Sequence, residues 1–142
     1  MNGLVEQRHL SLAGALELIE RVRAGAAERG LALAVCVVDA GGNEIASQRM
    51  DGAALGAARL AAGKAYTAVL WGMPTGEFAQ STQPGGADWG WNSTDPRIVV
   101  YAGGLPLTAE GQLVGGVGAS GGAAEDDEAC GTAAARALGL AG

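Results

Sequence analysis

Lys64 is the side chain best placed for chemistry, because Arg59 is the only other charge between Asp51 and Glu77, in a segment rich in alanine. Leu60, Thr67 and Trp71 are its neighbours at helical spacings. An ammonium desolvated among such residues has a lowered pKa and serves as a base, a Schiff-base amine or an anion ligand. The plainer reading is a lysine whose stem covers apolar surface while its head reaches water. Arg59 lies about 140° away around the same helix, so the two are not expected to form one site. Arg49 and Asp51 flank Met50 just before this segment. Arg49 offers a bidentate guanidinium to an acidic ligand; Asp51 is a candidate proton carrier or, more simply, a helix cap.

Two glycine clusters supply main-chain groups instead of side chains: Gly103-Gly104-Leu105-Pro106, and the run from Gly115 to Gly122. Glycine suits positive φ and close approach of a ligand or another backbone. Gly116 to Gly121 formally matches a dinucleotide fingerprint, but that motif needs an acidic residue about 20 positions on, and the sequence given stops at Gly142. What remains is the set of amides at Gly121, Gly122 and Ala123, placed at a helix start where a carboxylate or phosphate can be received. Glu125, Asp126, Asp127 and Glu128 follow; they complement the helix dipole as a solvated cluster, with a surface cation as the sharper alternative. His9 is the only histidine, which excludes machinery needing several imidazoles. Trp89 and Trp91 sit in a glycine-rich loop with Gly85 and Gly86 and read as ligand-wall or interface residues. Cys36 and Cys130 lack metal-ligand spacing and are expected as buried free thiols.

The 142 residues, 49% hydrophobic, suffice for one domain with its own core. A net charge of −6 and only nine unclustered basic residues argue against nucleic acid and anionic membranes as partners. The polar first ten residues and the lack of any run of about 18 apolar residues point to a cytoplasmic protein without a signal peptide.

Leu12, Ala15, Leu16, Ile19, Val22 and Ala26 recur at helical spacing between Ser11, a plausible cap, and Gly30, a stop. Residues 31–39 and 44–50 read as a β-hairpin around Ala40-Gly41-Gly42-Asn43, the first strand buried on both faces. A helix over 53–71 ends at Gly72 and Pro74, a short helix covers 76–81, and residues 83–93 form an irregular loop. Strands are expected at 98–101 and 112–120, joined through 103–111, with a last helix over 124–138. This order favours an α+β sandwich over parallel βαβ units.

Val38-Asp39-Ala40-Gly41-Gly42, Arg49-Met50-Asp51-Gly52-Ala53, Lys64-Ala65-Tyr66-Thr67-Ala68, Gln83-Pro84-Gly85-Gly86 and the two glycine clusters, taken in order, resemble the GlcG/HbpS-like family, which includes the C-terminal domain of PduO. The resemblance covers about residues 10–138 and treats 1–142 as a single domain. It implies a profilin-like α/β/α sandwich around a central antiparallel five-stranded sheet, and a homo-oligomer of two or more subunits. Some members bind haem, so haem or another tetrapyrrole is the first ligand implied. The chain departs from the secreted haem-sensing type in showing no signal peptide and no additional glutamate-rich helix.

The leading expectation is a small-molecule-binding protein with a subunit-interface pocket built from Arg49, Lys64, Gly85, Gly86, Gly103, Gly104, Gly121 and Gly122. Arg49 and Lys64 would meet propionates, Trp89 or Trp91 would cover an aromatic face, and His9 is the one imidazole for an axial position. One alternative is a cofactor-independent isomerase, lyase or cyclase acting on a small organic acid, with Lys64 or Asp51 carrying the proton and glycine amides stabilising an oxyanion. Another is a structural subunit without a ligand, its glycines serving tight oligomer packing.

Overall fold

The computed structural model describes residues 2–141. Ser11 opens α1 (Leu12–Glu28): its hydroxyl accepts from the Gly14 N–H at 3.0 Å, and the chain leaves the helix through Gly30 at φ +69°. Leu18, Ile19 and Val22 fall on one face and are fully buried, each such side chain contributing about 1.5–3 kcal/mol. The hairpin forms as expected, from β1 (Ala34–Asp39) and β2 (Glu44–Arg49). Its turn is tied by Asp39, whose Oδ1 accepts from the Gly41 and Asn43 N–H groups. The remaining elements are α2 (Leu55–Trp71), α3 (Gly76–Ser81), β3 (Gly104–Ala109), β4 (Gln112–Ser120) and α4 (Ala124–Ala137).

One four-stranded sheet runs in the order β2-β1-β4-β3, every neighbour antiparallel. Helices α1 and α4 pack together on one face, over Val35, Val37, Leu107 and Val117. Helix α2 covers the other, over Ala34, Cys36 and Val38. β1 is therefore buried on both sides, as its continuous apolar run requires. α2 lies directly on β4, because a Cβ at Gly118 would collide with the Ala61 carbonyl oxygen and one at Gly116 would come within 2.8 Å of the Ala65 oxygen. What approaches the glycines of β4 is thus a helix of the same chain.

The sheet has four strands among the described residues, not five. Residues 98–101 are not a strand: the Val99 N–H donates to the Thr67 hydroxyl on α2 at 3.0 Å, and Val99 lies over Gly63, where a Cβ would strike it. The third strand lies instead within the stretch expected as a connector. Pro106 masks its signal and is tolerated because β3 is an edge strand. Asp51 does not cap α2, which starts from Ala54 with no side-chain cap; Asp51 lies in the turn closed by the Ala53 N–H on the Met50 carbonyl.

Candidate functional site

Lys64 points into the interior, 2% exposed. Its Nζ donates to the Ala119 carbonyl at 2.9 Å and to Asp127 Oδ2 at 3.3 Å, while the other carboxylate oxygen of Asp127 accepts from the Gly122 N–H at 2.9 Å. Burial pulls the Lys64 pKa below its ordinary value, with the charge and hydrogen bond of Asp127 opposing. Gly103 and Gly104 press against this lysine: a Cβ at Gly103 would stand 2.8 Å from Nζ, and one at Gly104 would strike the Lys64 carbonyl. Gly121, at φ +132°, passes the Ala32 carbonyl just as closely. Five of the expected residues are thus brought together, around an internal ion pair. Asp127 is 1% exposed, so the four carboxylates do not form one solvated cluster. Asp126 pairs with Arg29 on the surface, and Asp127 turns inward. The stripe Asp127, Cys130, Gly131, Ala134 and Ala135 is the signal that places it on the buried face of α4.

The other expected residues lie apart from this cluster. Arg49 and Asp51 border a shallow depression of about 330 Å³ with Arg23 and Met50. Gly85 and Gly86 turn the chain back over α3, and Trp91 stacks on Phe78 with ring centres 4.8 Å apart while meeting Trp71 edge-on. Trp89 stays exposed. His9 stands at the hairpin turn, its Nδ1 accepting from the Ala40 N–H at 3.2 Å. Cys36 and Cys130 are free and buried, as expected.

A concavity of about 540 Å³ opens between α2, the outer half of the sheet and the segment 96–99. Val38, Leu60, Ala62 and Val99 give it an apolar wall; Cys36, Glu44, Arg59, Tyr66 and Arg97 bring polar groups to it. The glycines of β4 draw α2 toward the centre of the sheet, so that the helix covers β1 but leaves β2 less covered on that side. Arg59, Ala62, Gly63 and Tyr66 recur at helical spacing, a stripe that marks this face of α2 in the sequence. Tyr66 lies about 200° from Lys64 around the helix, so the two serve opposite sides.

A clasp closes one end of the cavity. Tyr66 donates its phenolic hydrogen to Asp95 Oδ2 at 2.5 Å, Arg97 pairs with Asp95 at 3.1 Å, and the Arg97 guanidinium lies 3.9 Å above the Tyr66 ring. Hydrogen bonding from Arg97 and Tyr66 pulls the Asp95 pKa down to about 2. The bond to Asp95 raises that of Tyr66.

On the sheet side, burial and then the Glu44 carboxylate push the Cys36 thiol up to about 12, and its Sγ donates to Glu44 Oε1. This thiol is no nucleophile at neutral pH. Iodoacetamide at neutral pH is expected to leave Cys36 unmodified in the folded protein and to alkylate it after unfolding, as peptide mass mapping will show. The unfolded chain gives up this proton from about 9 while the folded chain holds it toward 12. Between those values the unfolded state binds fewer protons, so stability falls as pH rises. Urea denaturation of Cys36→Ala across that window should show a shallower decline than the parent.

Among the described residues no helix is long and apolar enough to cross a membrane. The family model described as haem degrading protein HbpS-like matches residues 10–136. An uncharacterized 15.0 kDa protein from the dhaT-dhaS intergenic region of Citrobacter freundii is 38% identical over 128 residues, 89% of this chain and 90% of that one. The crystal structure of Klebsiella pneumoniae protein ORFY superposes with a TM-score of 0.94 at 33% identity, covering 98% of this chain and 97% of that one. The crystal structure of a PduOC:heme complex gives 0.88 at 34% identity, covering 93% and 96%. With the motifs in order, the three-layer fold preserved and the match running from Leu10 through α4, the chain belongs to the HbpS-like family.

Proposed function

We propose that this protein binds haem or a related tetrapyrrole, and that it does so in the cavity between α2 and the outer half of the sheet. The observation that carries the reading is an apolar-walled cavity of about 540 Å³ in a chain 34% identical to a relative crystallised with heme. Pockets of this size and lining suit a single flat organic ligand. Val38, Leu60 and Val99 fit the macrocycle. An axial role for His9 fits less well: a metal-bound imidazole donates through its second nitrogen, whereas Nδ1 of His9 accepts. A bound haem would supply redox-active iron; the chain's own groups orient the ligand and exclude water from one of its faces. The reading moves the pocket away from Arg49 and Lys64. Assembly into a homo-oligomer is part of the proposal, supported by exposed Leu55, Trp71, Trp89 and Tyr101.

The test is a visible-range titration with haemin. The expected result is a saturable Soret shift at one haem per subunit or per dimer, abolished by Ala62→Trp, which fills the cavity from its half-buried wall. An unsaturating titration, or one that Ala62→Trp leaves unchanged in a folded protein, would remove haem or this cavity from the reading.

A further inference from the structure

We infer that Arg59 is the anion-receiving group of this cavity, and that its ligand carries an acid group on a flat apolar body with that group at the Arg59 end. The inference rests on the proposed cavity but not on the ligand being haem. Three charged side chains reach the wall: Glu44, Arg59 and Arg97. Glu44 accepts from the Cys36 thiol and repels anions. Arg97 is already satisfied, bonded to Asp95 and to the Tyr66 hydroxyl and stacked on the Tyr66 ring. Arg59 alone of the three has no hydrogen-bond or ion-pair partner among the described residues. Arg8, Arg21, Arg23 and Arg29 each hold a carboxylate, and the other unpaired arginines, Arg49 and Arg136, lie outside this cavity.

Arg59 is exposed at the rim of the cavity, so the shielding it needs comes from the ligand itself. An anion brought there on an apolar body lying against Leu60 and Ala62 is attracted more strongly than one in open water, because body and wall lower the local dielectric. Arg59 and Tyr66 are seven residues apart on one helix face, about 10 Å along the axis. The acid group and the clasp therefore mark opposite ends of the ligand, and the apolar body spans the distance between them.

Two probe pairs test the assignment, each differing only in the acid: haemin against haemin dimethyl ester, and anilinonaphthalene sulfonate against phenylnaphthylamine. The parent is expected to prefer the acid member about tenfold, the scale of one charge-assisted contact at a partly open site. Arg59→Met should erase the preference in both pairs with an unchanged melting temperature, and Arg59→Lys should restore part of it. A preference that survives Arg59→Met overturns the inference, as does a parent that shows no preference in either pair. If the parent ignores haemin yet takes the sulfonate in an Arg59-dependent way, the assignment stands and the haem reading falls.

Discussion

Replacing Lys64 with methionine is expected to lower the free energy of unfolding by about 3–5 kcal/mol, the usual cost of leaving one member of a buried ion pair without the other. The methionine fills most of the space of the lysine stem, so lost packing is a minor part. What remains is Asp127, 1% exposed, with the Gly122 N–H as its one other partner, and an Ala119 carbonyl without its donor. Pairing Lys64→Met with Asp127→Leu removes both charges and should recover part of the loss. A deficit of about 1–3 kcal/mol should persist from the unpaired Ala119 and Gly122 backbone groups. Urea denaturation of the parent, both single variants and the double variant closes this cycle. If Lys64→Met matches the parent in stability and instead changes ligand affinity, Lys64 belongs to a binding site.

Gly118→Ala is the second substitution expected to act strongly. The added methyl would collide with the Ala61 carbonyl and stand 2.6 Å from the Ala65 backbone nitrogen, and main chain on both sides cannot yield as a flexible side chain does. α2 must lift off β4. Overpacking of this kind costs about 3 kcal/mol or more, which in a domain of this length lowers the melting temperature by about 10 °C. Because α2 also forms one wall of the cavity, the variant should change ligand affinity as well. A melting curve overlaying that of the parent would mean that the close approach of α2 and β4 is not required.

Much of this architecture was legible from the residues, since local patterns carry it. Ser11 and Gly30 bracket α1, Asp39 and Gly42 specify the hairpin, and the short helix expected over 76–81 is found there. The failures share one physical cause. Residues 98–101 have the composition of a strand, yet their partner is the side chain of Thr67, a tertiary contact that local composition does not encode. β3 carries a proline, and only its edge position makes that tolerable. The charge isolation of Lys64 rightly signalled burial, but its counterion is 63 residues away in a run of carboxylates that resembles a solvated helix start. The cavity draws on β1, β2, α2 and the segment 96–99, and no single motif contains it. Its one sequence trace is the Arg59 to Tyr66 stripe, half hidden in an alanine-rich helix.

The central pairing of the sheet sets the timing of folding. Val37 lies opposite Val117, so the two middle strands are brought together from positions 80 apart, whereas β1–β2 and β3–β4 are joined by short local turns. Local hairpins close in microseconds, but a long-range closure must first overcome the entropy of the intervening chain. During synthesis the first hairpin therefore emerges with only α1 available to cover Val35 and Val37, and it waits for β4 and α4 to leave the ribosome before that face of the sheet is complete.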